Sequence, residues 1–340
     1  MSMRDIYKFS IVSAVYNTAD YLEEMIESVI NQDIGFEENI QLLLIDDEST
    51  DNSLAICKAY QEKYPNNIAV FTTKHAGVSH ARNIGLQYAE GTYINFLDSD
   101  DKLEINVLQR VNKFFQEYEG QIDLVAIPMR FFGSEEGEHV LNYKFYQDDI
   151  VDICKKIDFI QLSSSSTFIK RDAIDNLRFD EGLYYGEDAK FISQILLKKN
   201  RYGIIAKCYY LYRRRIDKSS AIQTGHKNVR WYIGYLENFS LKMLEKLEEY
   251  TSEQQRYIQY LVMYDLQYRF NVKNLDEVLA NKQDQKLYIS FIKECIEKID
   301  FCIILKQKQI TYKKKILILF FKVLPINMSN LIIKKIWFRT

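Results

Sequence analysis

The chain has 340 residues, 47% of them hydrophobic and 27% charged, the balance of a folded globular protein, which excludes extensive disorder. Five scattered cysteines without a C-x-x-C pair exclude a disulfide framework and a zinc cluster, and read as small apolar residues in a reducing compartment. Nine basic residues and no acidic one follow Asp300, so the net charge of −2 conceals an acidic body and a basic tail; this argues against nucleic-acid binding and for a local anionic partner. Acidic Asp5 leads directly into the strand-like Phe9–Val12, so a secretory leader is not expected and the protein is read as cytoplasmic.

The first hundred residues alternate short apolar runs with helical periods, the pattern of a βαβ sheet. Strands are predicted at Phe9–Val15, Ile40–Ile45, Ile68–Thr72 and Tyr93–Leu97. Between them come helices carrying Leu22, Ile26 and Val29, then Leu54 and Lys58, then Ser79–Ala89. A helix over Ile105–Tyr118, a strand over Asp123–Met129 and a loop over Gly133–Glu138 follow. Next come a strand at Ser165–Lys170, a helix at Glu187–Lys199 and one strand spanning Tyr202–Arg213. From Gly225 onward Trp231, Tyr235, Phe239 and Leu244, then Tyr257, Leu261 and Tyr264, recur at amphipathic helical spacing. The boundary falls near residue 222, dividing 1–222 from a helical 223–340.

The sharpest local signal is Phe96-Leu97-Asp98-Ser99-Asp100-Asp101 at the carboxyl end of an apolar strand. Two carboxylates one residue apart, where a sheet opens, can grip a divalent cation that also touches a diphosphate. Alone the pattern is equally a solvated turn. Its neighbours matter: Ser13-Ala14-Val15-Tyr16-Asn17, Ile45-Asp46-Asp47-Glu48-Ser49-Thr50-Asp51, Gly77-Val78-Ser79-His80-Ala81-Arg82-Asn83-Ile84-Gly85 and Tyr185-Gly186-Glu187-Asp188 occur in order around it. Together these resemble the motifs of the family-2 glycosyltransferases, with Ala14 in place of the usual proline and Glu48 in place of glycine, a residue that tolerates positive φ where glutamate does not.

The resemblance implies the A-type nucleotide-sugar fold, a Rossmann-like mixed sheet flanked by helices, with an α-helical C-terminal region. It implies an inverting, metal-dependent transfer from a nucleotide-diphosphate sugar to an acceptor hydroxyl. Donor contacts are expected from Val15, Tyr16, Asn17, Asp47 (to the imide of a uracil ring), Arg82, Asp98, Ser99, Arg213, Arg215 and Ser219. The ion, Mn²⁺ or Mg²⁺, is expected on Asp100 and Asp98, with His226 a further candidate ligand. Asp188 is implied as the general base and Glu187 as its companion, although their place at the start of an apolar-striped helix also fits a simple dipole complement. His75, His80 and His139 receive no role.

In the tail, Lys313-Lys314-Lys315 precedes Ile316–Phe321, and Leu331-Ile332-Ile333 and Trp337-Phe338 follow among lysines. No uninterrupted apolar run reaches the ~18 to 20 residues that span a bilayer. The interleaved lysines and an interfacial tryptophan suit a helix lying on an anionic inner leaflet, while an oligomer contact or ordinary packing is the competing reading. The motif layout resembles glycosyltransferase domains of capsule and teichoic-acid synthesis, which implies a cell-envelope glycan or lipid-linked acceptor. Two other readings stay open: a nucleotidyltransferase, which would want a glycine-rich loop where Tyr16-Asn17-Thr18-Ala19 has none, and an inactive sugar-nucleotide scaffold.

Overall fold

The computed structural model describes residues 7–216, 228–272 and 275–337. Two compact units divide them: one drawn from Met1–Asp152, Gln161–Gly182 and Glu187–Lys218, the other from Ile153–Ile160, Leu183–Gly186 and Ser219–Thr340.

The first unit is built on β1 (Phe9–Val15), β2 (Ile40–Asp46), β3 (Ile68–Thr72) and β4 (Tyr93–Phe96), all parallel. All seven residues of β2 are buried, as a strand covered on both faces requires. The helices between them, α1 (Ala19–Ile30), the short α2 (Phe36–Asn39), α3 (Ser53–Lys63) and α4 (Val78–Tyr88), lay apolar residues on that sheet, α1 through Leu22, Met25, Ile26 and Val29. Strand order runs β3-β2-β1-β4 and then reverses the direction of growth. The carboxyl ends of β1 and β4 therefore flank the switch point of an open α/β sheet, where a ligand crevice forms.

Beyond β4, a two-residue β5 (Lys102–Leu103) and α5 (Val107–Glu117) precede β6 (Leu124–Ala126), β7 (Met129–Gly133), β8 (Gly137–Glu138) and β9 (Asp149–Asp152). Then come β10 (Thr167–Lys170), α6 (Arg171–Ile174), α7 (Glu187–Lys199), β11 (Arg201–Ile204) and β12 (Tyr210–Arg214). The large sheet continues through β10, β6, β11 and β9, and a second sheet runs β5-β12-β7-β8.

Two expectations are corrected here. The single strand expected over Tyr202–Arg213 is two, β11 in the large sheet and β12 in the small one, with Lys207 at φ 59 between them. Likewise the strand expected over Asp123–Met129 ends at Ala126, Pro128 lacks the N–H to continue the ladder, and the expected loop at Gly133–Glu138 is the tip of a β7–β8 hairpin. The two splits lie side by side, β6 beside β11 and β7 beside β12, and carry the chain from one sheet to the other.

The second unit is helical: α8 (Val229–Tyr235), a π-helical stretch (Leu236–Leu241), α9 (Lys242–Glu245), α10 (Ser252–Arg269), α11 (Leu275–Val278), α12 (Lys282–Glu297), α13 (Phe301–Lys306), α14 (Tyr312–Val323) and α15 (Asn330–Trp337). Its core holds the fully buried Arg269, paired with Asp265 at 2.5 Å and lying over the Trp231 and Tyr235 rings. The interfacial role expected of Trp337 is wrong. Its ring is buried against Phe270, Tyr288 and Phe321, and its indole N–H donates to the Arg269 carbonyl. Among the described residues no helix is long and apolar enough to cross a membrane. Cys57, Cys208 and Cys295 are buried as expected, whereas Cys302 is exposed.

The glycine that closes the third motif explains how α4 sits so close to the sheet. A Cβ at Gly85 would lie 2.3 Å from Val12 Cγ1 and 3.1 Å from Ile45 Cδ1, and a β-branched strand side chain has little rotamer freedom to yield. Gly85→Ala is expected to destabilise the protein by about 1–3 kcal/mol through overpacking. Urea unfolding reads this as a lower midpoint at constant slope; an unchanged midpoint would refute the packing account.

Candidate active site

Three strand ends and the first turn of one helix converge in the first unit. At the end of β1, Asn17 takes φ 50, a left-handed conformation for which asparagine is one of the better-suited residues. Its Oδ1 accepts the Thr50 N–H at 2.8 Å, and its own N–H donates to Ser49 Oγ at 3.1 Å. The β1 turn is thus tied to the β2 turn.

At the end of β2, Glu48 keeps φ 64 although it is not glycine. Its carboxylate accepts the His75 N–H at 3.1 Å, a local bond that offsets part of the backbone strain. Asp47 is almost wholly buried; its two carboxylate oxygens accept the N–H groups of Ala76 at 3.0 Å and Gly77 at 2.9 Å. Oδ1 retains a second lone pair. His75, to which the sequence gave no role, stacks on the exposed Tyr16 ring with centroids 4.3 Å apart and places Nδ1 3.0 Å from Asp47 Oδ2. Tyr16, Asp47 and His75 therefore form one aromatic and acidic ledge. A histidine 28 residues beyond Asp47 carries no local pattern that would have revealed this.

Arg82 is the centre of the site. The expectation from sequence places it by the donor; in the structure its guanidinium is nearly buried and meets Asp98 Oδ1 at 2.9 Å, Asp188 Oδ1 at 2.7 Å and Glu187 Oε1 at 3.4 Å. The Phe179 ring backs it at 5.3 Å. Burial works against the charge of Arg82, but Asp188, Asp98 and Glu187 outweigh it and hold the proton more firmly than usual. Burial, then Asp188, pushes the Glu187 carboxyl up to about 7 against the pull of Arg82. Asp98 is raised as well, first by burial and then, against Arg82, by Asp188 and Asp100.

The acidic run after β4 divides its labour. Asp101 is buried and spent internally: it accepts from the Tyr210 hydroxyl at 2.6 Å and the Arg213 N–H at 2.7 Å. Ser99 is also buried and accepts from Thr18 Oγ1 at 3.1 Å. Asp100 faces Arg215, whose Nε lies 2.7 Å from its carboxylate, while Arg213 Nε donates to its backbone carbonyl at 2.7 Å. Asp98 and Asp100 are left as hard oxygen donors, close enough that Asp100 disfavours the charge of Asp98. Among the described residues no set of three or more His, Cys, Asp or Glu side chains is arranged to hold a metal. Two carboxylates completed by diphosphate oxygens and water are nonetheless the usual environment of a Mg²⁺-type ion, so the donor set fits one. Ser219 and His226 lie outside the described residues.

A turn that the sequence pattern left unread completes the site. Ser164 donates its N–H to Asp188 Oδ2 at 3.1 Å, so the two oxygens of Asp188 are held from opposite sides by Ser164 and Arg82. Asn95 on β4 anchors the same turn by donating to the carbonyls of Ser165 and Thr167.

Comparison with known proteins follows this geometry. The model of glycosyl transferase family 2 matches residues 10–178. Over 306 residues the chain is 42% identical to the minor teichoic acid biosynthesis protein GgaB of Bacillus subtilis, covering 90% of this chain and 34% of that protein. It is 34% identical to GgaA of the same organism, covering 90% of this chain and 70% of GgaA. The chain thus spans about a third of one relative and about two-thirds of the other. In fold it superposes on Staphylococcus aureus TarS 1–349, solved in complex with UDP-GlcNAc, with a TM-score of 0.73 at 20% identity over 96% of this chain and 91% of that one.

The acid cluster has a consequence for stability. Glu187 in the folded protein holds its proton up to about 7, whereas an unfolded chain releases it near 4.3. Stability from this group is fully present below that lower value and is lost as pH rises through the upper one. Glutamine mimics the protonated acid. Without divalent metal, Glu187→Gln should match the wild type in urea unfolding at pH 4 and exceed it by about 1–3 kcal/mol at pH 7.5. Parallel pH curves for the two proteins would contradict the assignment.

Proposed function

The chain belongs to glycosyl transferase family 2, and from that premise we propose that it is an inverting enzyme that moves a sugar from a uridine diphosphate donor to a hydroxyl of a teichoic-acid or related cell-envelope glycan. One observation carries the reading. Asp188 stands at the first turn of α7, its two oxygens fixed by Arg82 and by the Ser164 N–H, beside the strand end that carries Asp98.

In this reading the Tyr16, Asp47 and His75 ledge receives the base, and a free lone pair of Asp47 accepts the uracil imide. The uridine donor is in line with TarS, solved with UDP-GlcNAc, and the acceptor with the teichoic acid names of GgaB and GgaA. Asp100 and Asp98 would hold a divalent ion, which would neutralise charge on the departing diphosphate, and Arg213 and Arg215 would face that diphosphate; the further expected contacts, His226 to the ion and Ser219 to the diphosphate, fall outside the described residues. Arg82 orients Asp188 and separates it from Asp98. Asp188 takes the proton of the acceptor hydroxyl as that oxygen bonds to the anomeric carbon, and the bond from that carbon to the diphosphate breaks with its electrons leaving on the nucleotide. No covalent sugar intermediate forms, and the configuration inverts. The catalytic part ends near residue 222.

The basic tail suits work at the inner face of the cell membrane. On α14, Tyr312, Phe320 and Val323 are more than half exposed and share a face by their spacing of eight and three residues, among lysines and with no acid after Asp300.

Two measurements test these readings. Asp188→Asn should lower turnover by about 10²- to 10⁴-fold, the usual yield of a positioned base, with donor affinity within a few-fold, whereas Asp100→Ala should abolish Mn²⁺-dependent binding of UDP by calorimetry. Near-normal turnover of the first variant rejects the base, and unchanged metal-dependent affinity of the second rejects the ion site. Separately, the full chain should sediment with phosphatidylglycerol vesicles at low salt, and the double substitution Phe320→Asp, Val323→Asp should leave it in the supernatant. Equal sedimentation of both proteins, or of neither, ends the membrane reading.

A further inference from the structure

Lys144 is a lysine where a protein core rarely tolerates one. It closes a short 3₁₀ turn (Val140–Lys144) and is 1% exposed. Burial pushes its ammonium down to about 7. Removing such a group from water is costly unless its donors are used, and one of them is: Nζ donates to Gln161 Oε1 at 2.7 Å, with the Phe145 and Tyr202 rings 5.0 and 5.6 Å away.

Gln161 is itself 4% exposed. Its Nε2 lies within donating distance of the Ser163 carbonyl at 3.0 Å, Ser166 Oγ at 3.2 Å and Thr167 Oγ1 at 2.9 Å. The turn it grips is internally bonded: Ser163 Oγ and Ser165 Oγ are 2.8 Å apart, and Thr167 Oγ1 donates to the Ser163 carbonyl at 2.7 Å. Ser164, in the middle of that turn, gives its N–H to Asp188. An amide side chain whose orientation is fixed by an ammonium on one side can hold a turn on the other, because reversing the amide would set its donors against Nζ.

We propose that Lys144 and Gln161 are positioning residues for glycosyl transfer, fixing the serine turn so that the Ser164 N–H holds Asp188 at the angle needed for proton removal. The proposal rests on the reading of Asp188 as the base. Both residues act through the serine turn, so their effect should fall on the rate and not on donor binding.

A double-mutant cycle tests this. Lys144→Met keeps the length of the side chain and removes the ammonium. It should lower kcat by about 10- to 100-fold, the scale of a displacement of about 1 Å in a catalytic group, while the calorimetric affinity for UDP with Mn²⁺ stays within about twofold. In an Asp188→Asn background the same substitution should cost no further rate, because the group it positions is gone. A purely structural lysine would instead reduce rate by the same factor in both backgrounds, or reduce donor affinity along with rate, and either result overturns the proposal, as does an unchanged kcat. Should Lys144→Met not fold, Gln161→Glu keeps the partner of the ammonium but removes the amide donors, and must give the same separation of rate from affinity and the same loss of effect beside Asp188→Asn. Near-normal turnover of Asp188→Asn alone would reject the base reading itself, independently of either positioning residue.

Discussion

One buried guanidinium organises the active site. Arg82 meets carboxylates from β4 and from the start of α7, segments separated by about ninety residues of chain. Three acids so placed cannot all carry charge in a space largely closed to water without a cation among them, since removing a partner from a buried ion pair leaves an uncompensated charge. The arginine therefore has a structural duty. Replacing it by a neutral residue would force the cluster to take up protons or open. Lysine would not serve equally, because a single ammonium lacks the planar fork that reaches Asp98 with one nitrogen and Asp188 and Glu187 with the other.

Around that centre the two sheets act as one frame. Tyr210 on β12 donates to Asp101 and lies 3.5 Å from Asp98, so the small sheet braces the acidic strand end from the side opposite Arg82. The serine turn does the same for Asp188. Asp98 and Asp188 are thus each held by Arg82 and by a second element, Tyr210 on β12 or the serine turn, the kind of support that fixes a side chain to within fractions of an ångström.

How much of this could be read from the chain depends on the range of the interaction. The four parallel strands were legible because buried β2 and its neighbours are continuous apolar runs, and the motif glycine at Gly85 has a local steric meaning. The splits at Pro128 and Lys207 were not, since a residue such as Ile205 is as apolar in a sheet-to-sheet crossing as in a strand. Among candidate site residues, those inside ordered motifs could be named from the sequence, and the structure gathers Arg82, Asp98, Glu187 and Asp188 in one place. His75, Lys144, Gln161 and the serine turn were missed because each matters only through a partner far along the sequence. Trp337 shows the converse: its composition-based reading as an interfacial residue failed because Arg269 and three aromatic rings enclose it, and burial is a property of the fold.

The charges at the strand ends leave the site deliberately short of cations. Asp98, Asp100, Asp101, Glu187 and Asp188 lie with Arg82, Arg213 and Arg215, and the crowding favours protons on the acids: Glu187 is pushed up to about 7, and Asp98 and Asp101 are raised, first by burial and then by their acidic neighbours. On the proposed reading a dication would take over part of that neutralisation, held by oxygens already in place. Asp101 cannot take part, being committed to Tyr210 and the Arg213 N–H. On the proposed reading Asp98 and Asp100 would hold the ion, and the ion pair between Asp100 and Arg215 is the contact that would give way to it. Arg215 carries the planar fork of donors that suits a diphosphate.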